Sequence, residues 1–311
     1  MSLNEKNYAS EINRMRRQKN ALILAHYYQR PEIQDIADYT GDSLALARWA
    51  EKTSADVLVV CGVHFMAETA KILSPRKKIL IPDVAAGCSL AESCPADEFE
   101  AFVKAHPGYK VITYVNTTAA VKALSDVAVT STNAHKIVTS FPREEKLIFA
   151  PDRNLGNYIN SVTGREMLLW EGVCHVHERF SLERILVLRK VYPRAKLLAH
   201  PECRKPVLMT ADFVGSTSAL LEYTSSSSER EFIVATESGV IHKMRLRSPD
   251  KTFIAAPPED SSCACNDCVY MKLHTMEKLY LCLRDEMPEI TVEEHIRVRA
   301  VEPIMRMLEL S

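Results

Sequence analysis

The stretch Ala21-Leu-Ile-Leu-Ala-His-Tyr-Tyr28 sets five apolar residues against a polar cluster. An apolar run this short reads as a strand buried on both faces, and polar groups at its carboxyl end read as functional groups on a rigid scaffold. The layout recurs twice. Val111-Ile-Thr-Tyr-Val-Asn116 and Lys196-Leu-Leu-Ala-His-Pro-Glu202 also run from an apolar segment into polar side chains, and their cluster starts His26, Tyr114 and His200 stand 88 and 86 residues apart. Hydroxyl-rich turns that open helices keep nearly the same step: Gly41-Asp42-Ser43, Thr130-Ser131-Thr132-Asn133 and Gly215-Ser216-Thr217-Ser218, with 88 residues from Ser43 to Ser131 and 85 from Ser131 to Ser216. Cysteines after a last strand, Cys88, Cys174 and Cys268, are spaced 86 and 94. Three kinds of feature on one period mark an internal repeat.

Between these landmarks short apolar runs alternate with amphipathic segments, the pattern of an α/β protein with parallel sheets. The expected strands are Ala21–Ala25, Val57–Val60, Ile79–Ile81, Val111–Val115, Val127–Val129, Leu147–Ala150, Met167–Trp170, Lys196–Ala199, Phe232–Ala235 and Phe253–Ala256; Ser43–Lys52 and Phe65–Leu73 have helical spacing. The repeats divide the chain at 1–95, 96–180 and 181–311, the last with C-terminal helices. Ligands of parallel sheets bind at the carboxyl ends of strands, where helix N-termini present N–H groups and partial positive charge. Three units around a pseudo-threefold axis, with those ends inward, would collect the cysteines, polar clusters and helix starts in one site at their junction.

The chain has 311 residues, 39 Lys plus Arg against 40 Asp plus Glu, 47% hydrophobic and 25% charged residues. The balanced charge argues against a nucleic-acid protein, and the apolar share suits a globular fold with a sizeable core. No apolar run approaches the roughly 18 residues of a membrane span. The start, Met1-Ser-Leu-Asn-Glu-Lys6, carries no apolar signal core, so the expected location is the cytoplasm. Nine cysteines, an odd number, are then thiols unless metal holds them.

Three thiolates, one per repeat, suit an iron–sulfur cluster with one iron left open as a Lewis acid. An isolated cysteine is more often a small buried hydrophobe; only the shared period sets Cys88, Cys174 and Cys268 apart. Cys61 and Cys282 read as packing, and Cys94 and Cys203 lean toward non-ligands. Cys263-Ala-Cys265-Asn-Asp-Cys268 reads locally as half a zinc ribbon, but no second pair stands at ribbon spacing; one cluster ligand plus two accessory thiols is preferred. His26, Tyr28, Tyr114, His200 and Glu202 include the types needed for proton transfer, against the plainer reading of strand caps. Glu202 is the expected base, its carboxyl raised by burial. The hydroxyls of the turns are either ordinary N-caps or, converging, a cradle for phosphate or carboxylate. Arg153 and His177 are expected neighbours of the site, with a surface arginine and a satisfied loop histidine as duller alternatives. Ser225–Ser228 reads as a solvated connection.

With these residues identified, the chain resembles the quinolinate synthase family, iron–sulfur enzymes of NAD biosynthesis. The resemblance rests on Ala25-His-Tyr-Tyr-Gln-Arg-Pro31, Gly41-Asp-Ser43, Cys61-Gly-Val-His-Phe-Met-Ala-Glu-Thr-Ala-Lys71, Pro82-Asp83 and Gly87-Cys-Ser-Leu90. It continues through Tyr114-Val-Asn-Thr-Thr118, Thr130–Ala134, Asp152–Tyr158, Gly172-Val-Cys-His-Val-His177, His200-Pro-Glu-Cys203, Gly215–Ser218, Ala235-Thr-Glu-Ser-Gly239 and Cys268 through Leu281, nearly the whole chain in order. Val269 stands where the family often has Pro, and Met276 where Leu is usual.

The resemblance implies three similar αβα domains around a pseudo-threefold axis and a [4Fe–4S] cluster on Cys88, Cys174 and Cys268. It implies a transferase-type condensation of iminoaspartate with dihydroxyacetone phosphate to quinolinate, phosphate and two waters, with L-aspartate oxidase or aspartate dehydrogenase upstream. Carried over by motif, His26, Ser43, Tyr114, Asn116, Ser131, His200, Glu202 and Thr217 would hold substrates and product. Tyr28 and Glu202 would move protons beside His26 and His200. Two rivals remain: a cluster-free triose-phosphate aldolase or lyase with structural cysteines, and a zinc knuckle that binds nucleic acid, against which the near-zero charge counts.

Overall fold

The structure, a computed structural model, describes residues 5–259 and 266–311. Cys263 and Cys265 lie outside the described residues, as does the start of the chain. Three four-stranded sheets are present, and all their paired strands are parallel. The first holds β1 (Ala21–His26), β2 (Tyr39–Gly41), β3 (Val57–Cys61) and β4 (Lys78–Leu80). The second holds β5 (Lys110–Tyr114), β6 (Val127–Val129), β7 (Leu147–Ala150) and β8 (Leu168–Leu169), and the third β9 (Lys196–Ala199), β10 (Phe213–Val214), β11 (Glu231–Ala235) and β12 (Thr252–Ala255). Each sheet has its second strand at one edge, then the first, third and fourth. Helices flank the sheets, giving three similar αβα units.

Register makes the repeat atomic. Ala25 pairs with Cys61, Thr113 with Ala150, and Ala199 with Ala235, so the three strand ends superimpose in pattern. A buried face on each side explains the unbroken apolar runs: every residue of β3, β6 and β7 is buried.

A second repeat signal passed unnoticed in the sequence. Before each second strand an aspartate, Asp38, Asp126 or Asp212, accepts the N–H of Ile23, Val111 or Leu197 at 2.7–2.8 Å. Its own N–H returns to that residue's carbonyl at 2.8–2.9 Å. Each carboxylate also meets a cation, Arg16, Lys110 or Arg189, at 3.0–3.1 Å. These aspartates fix where the connecting chain re-enters the sheet. Of the edge strands they precede, the all-apolar β6 was expected, whereas β2 (Tyr-Thr-Gly) and β10 (Phe-Val) carry no apolar run to mark them. The expected Met167–Trp170 shortens to Leu168–Leu169.

The C-terminal helices, grouped by sequence with the third repeat, pack on the other two. Met276–Asp285 lies against the N-terminal helix Glu5–Gln18, and Glu294–Leu310 crosses β6 and the turn of helix Ala119–Lys122. No helix among the described residues is long and apolar enough to cross a membrane.

Replacing Asp212 with alanine removes a charge-assisted hydrogen bond to the Leu197 N–H. We expect a loss of about 1.5–3 kcal/mol in chemical denaturation, and no loss at all would contradict the bracing role.

Candidate active site

The strand ends of the three sheets face one cavity lined by side chains of all three repeats. Every residue expected to bind substrate, move protons or hold the cluster lines it. His26 and Tyr28 come from the end of β1, Tyr114 and Asn116 from β5, and His200 and Glu202 from β9. Ser43, Ser131 and Thr217 come from the turns after the second strands, and Cys88, Cys174 and Cys268 from loops after the fourth. Arg153 is not among the lining residues; it pairs with Glu171 at 2.8 Å on the surface. His177 does line the cavity. Of the Ser225–Ser228 run, expected as a connection, Ser225 and Ser226 instead end the helix Thr217–Ser226, and the connection starts at Ser227.

The hydroxyl turns are more than caps. Asp42, not Ser43, caps its helix by accepting the Ala45 N–H at 2.9 Å, and Ser216, not Thr217, accepts the Ala219 N–H at 3.3 Å. Ser43 and Thr217 therefore keep their hydroxyls out of the capping bonds and inside the cavity wall. In the second repeat the N-cap Asn133 makes no side-chain capping bond and takes the Thr130 N–H at 2.6 Å instead, while Ser131 lines the cavity. Asp42 also ties the three turns together: its Oδ2 accepts from Thr132 Oγ1 at 3.0 Å and from Ser218 Oγ at 2.6 Å.

The two histidines share one local geometry. Tyr28 N–H donates to His26 Nδ1 at 3.2 Å, and Glu202 N–H to His200 Nδ1 at 3.4 Å. An Nδ1 that accepts leaves the proton on Nε2, and His200 Nε2 meets Ser131 Oγ at 3.2 Å. Burial pushes His26 down to about 4 and His200 down to about 3, so both are neutral donors near neutral pH.

Glu202 departs from expectation. Burial raises its carboxyl, as the sequence suggested, but the facing His177 and His200 and hydrogen bonds from His177 and Tyr114 hold it well below the usual carboxylate range. Its Oε1 accepts from Tyr114 Oη at 2.6 Å, and its Oε2 lies 2.8 Å from His177 Nδ1. From His177 a chain of bonds continues: Nε2 to Thr236 Oγ1 at 2.9 Å, Thr236 Oγ1 to Tyr28 Oη at 2.7 Å, and Tyr28 Oη to Thr217 Oγ1 at 2.8 Å. Burial, reinforced by the Glu202 charge, pushes the phenols of Tyr28 and Tyr114 well up. Tyr28 and Glu202, from different repeats, are joined through His177 and Thr236.

The cysteines divide cleanly. Cys61 and Cys282 share one apolar cluster, Cys94 and Cys203 sit in two others, and all four are buried. Cys88, Cys174 and Cys268 are half-buried at the cavity, close enough that Cys88 feels the charge of Cys268 and Cys174 that of both. Burial pushes Cys88 up to about 12 and Cys268 up to about 11, and raises Cys174 too. Against this, backbone N–H groups two or three residues on point at each sulfur: Leu90 and Ala91 at Cys88, His177 at Cys174, Tyr270 and Met271 at Cys268. Three soft donors from three repeats, each served by N–H groups that favour the thiolate, fit an iron–sulfur cluster. Cys174, His177 and Glu202 also bring one ligand atom each within 4.8 Å of one another, a set that would suit a single divalent ion.

The family model described as Quinolinate synthetase A protein matches residues 10–309. The chain belongs to this family. A quinolinate synthase of Thermosynechococcus vestitus is 58% identical over 300 residues, covering 96% of this chain and 94% of the relative. One from Chloroherpeton thalassium is 55% identical over 311 residues, covering 100% and 97%, and one from a Synechococcus is 57% identical over 300. The repeat-built cavity is therefore the cavity of a quinolinate synthetase A chain. Reading motifs alone missed Asp42 in the cavity wall, Thr236 behind it between Tyr28 and His177, and Glu237 in the wall. The last two stand directly after β11, whose end pairs with the end of β9 and so sets them beside His200 and Glu202.

The depressed imidazoles make a stability prediction. Between about pH 6.5 and 4 the unfolded chain binds protons that folded His26 and His200 refuse, so stability is highest above that window and falls on acidification. Glu202 adds in the same sense lower down: its contribution is present above the ordinary 4.5 and is lost as pH falls. Urea midpoints of metal-free protein should drop between about pH 7.5 and 5, and His200→Asn should flatten the drop; an unchanged slope would contradict it.

Proposed function

We propose that the protein is a quinolinate synthase that condenses iminoaspartate with dihydroxyacetone phosphate, releasing quinolinate, phosphate and two waters, with a [4Fe–4S] cluster held by Cys88, Cys174 and Cys268. The observation that carries the reading is the meeting of these three thiols with an anionic Glu202, two neutral imidazoles and three helix starts in one cavity. When bound, the cluster supplies an open iron as Lewis acid for an oxygen or nitrogen of the reacting molecule.

The remaining work falls to the chain's own side chains. Two small anions need many donors. The hydroxyls of Ser43, Ser131 and Thr217, with the helix N-termini behind them, suit phosphate and carboxylate oxygens. His26 and His200 carry their protons on Nε2 and stay neutral, so they donate hydrogen bonds without adding charge. Asn116 and Tyr114 line the opposite repeat and complete the positioning.

Carbon–carbon bond formation, imine formation and dehydration each require a proton to be taken or given. Glu202 takes it at a carboxylate oxygen. Tyr28 exchanges it at Oη, and the path between them runs through Thr236 Oγ1 and the two ring nitrogens of His177. In this direction Tyr28 donates to Thr236, Thr236 to His177 Nε2, and His177 Nδ1–H to Glu202. Both phenols are raised well above their ordinary value, so Tyr28 and Tyr114 stay protonated and act as donors. The low exposure of His200, Glu202 and Thr217, at 2–3%, keeps water from a labile imine.

The single-ion reading of Cys174, His177 and Glu202 has geometry in its favour, but it leaves Cys88 and Cys268 with their convergent N–H donors and no task. Two experiments separate the possibilities. Serine at Cys88, Cys174 or Cys268 should abolish iron binding and turnover together, while Cys61→Ser leaves both; a brown, active Cys88→Ser protein would contradict the cluster assignment. Glu202→Gln should keep iron and lose turnover by about 10²–10⁴-fold, the usual worth of a general base, and near-normal rates would remove Glu202 from proton transfer.

A further inference from the structure

Behind Tyr28 a buried ion pair joins two parts of the cavity wall that the reaction uses separately. Glu237 stands two residues past β11 and is fully buried. Its Oε1 accepts the Cys268 N–H at 3.1 Å and lies 2.7 Å from Lys272 Nζ, while its Oε2 accepts the Gly239 N–H at 2.7 Å. Lys272 in turn donates to the Tyr28 carbonyl at 2.6 Å. The Arg30 guanidinium fixes the Lys272 carbonyl at 2.9 Å, closing the bridge back onto the first repeat. Gly239 is the residue that permits the packing: a Cβ there would meet Glu237 Oε2 and the Tyr28 carbonyl at 2.8 Å.

One carboxylate thus holds the backbone of a cysteine loop, and through one ammonium it holds the backbone of the tyrosine turn. The register places Asp152 at the same position of the second repeat, with its carboxyl against the Cys174 N–H, and Val63 in the first. Asp152 Oδ2 has no hydrogen-bond partner among the described residues, whereas Glu237 is fully engaged. A buried charge stripped of its partner is strongly unfavourable, so each half of the Glu237–Lys272 pair depends on the other.

We propose that Glu237 is a positioning residue that, with Lys272, sets the Cys268 loop and the Tyr28 turn in one geometry, so that retention of the cluster and proton transfer through Tyr28 are coupled. This rests on the cluster reading above. Burial raises the Glu237 carboxyl to about 7 even beside Lys272, which shows how confined the pair is. Neither residue needs to touch substrate for the coupling to act.

The test compares anaerobically reconstituted wild type with Glu237→Gln, Lys272→Met and the double variant, at a temperature where circular dichroism shows each folded. Iron and sulfide per chain, the rate at which a chelator bleaches the visible absorption, and kcat and KM are measured. Both single variants should bleach about tenfold faster or more and lose kcat with little change in KM, and the double variant should bleach more slowly than Lys272→Met. A merely structural role would lower the melting temperature without moving bleaching or the split between kcat and KM. Folded Glu237→Gln with wild-type bleaching and kcat overturns the proposal; if that variant does not fold, Lys272→Arg is read by the same criteria. A wild-type chain that takes up no iron overturns the cluster reading itself, so the two failures are distinct.

Discussion

All-parallel sheets force their strand ends, and the helix starts that follow, to one side. Three such sheets with one strand order, facing inward, can converge at a single point, and the cavity is that point. The convergence is pinned by polar contacts rather than by apolar packing alone. Asp42 from the first repeat takes hydroxyls from the second and third at 3.0 and 2.6 Å. Tyr114 from the second reaches Glu202 of the third at 2.6 Å. Without these crossings each repeat would still be a small αβα unit, but the groups of the site would not share one geometry.

Burial then decides which of those groups carry charge. The same desolvation acts on His26, His200, Glu202 and the cysteines, yet the outcomes differ because their neighbours differ. The histidines find no anion strong enough to repay charging and stay neutral. Glu202 has two imidazoles and a phenol around it and stays ionised. The thiols have N–H groups but also one another, so in the metal-free chain they hold their protons. A positively charged group bound among them is what would release those protons, in keeping with the linkage of metal binding to deprotonation.

The fold was legible because its signals were long enough to repeat. Strand-end clusters, hydroxyl turns and cysteines recurred at steps of 88 and 86, 88 and 85, and 86 and 94 residues, and the sheet order shows three such units. The edge strands β2 and β10 were not legible because Tyr-Thr-Gly and Phe-Val form no apolar run, whereas the equally short Val127–Val129 does. Asp38, Asp126 and Asp212 keep the same period, but a lone aspartate before a short strand looks like any turn residue. In the site, residue types at strand ends were enough to find what lines the cavity. They could not show charge: Glu202 was expected to have a raised carboxyl because nothing in local spacing shows that His177, 25 residues earlier, folds against it. Thr236 and Glu237 were overlooked for the same reason, since their partners lie in other repeats or far along the chain.

The central claim is that three repeats lend one thiolate each to a single cluster beside the proton-transfer chain. The most direct test is iron and acid-labile sulfide analysis of anaerobically purified wild-type protein, run alongside a quinolinate-forming assay on the same sample. The account predicts about four iron and four sulfide per chain in the active fraction, as a cube with three cysteine ligands requires. A preparation free of iron that still forms quinolinate at the full rate would contradict it.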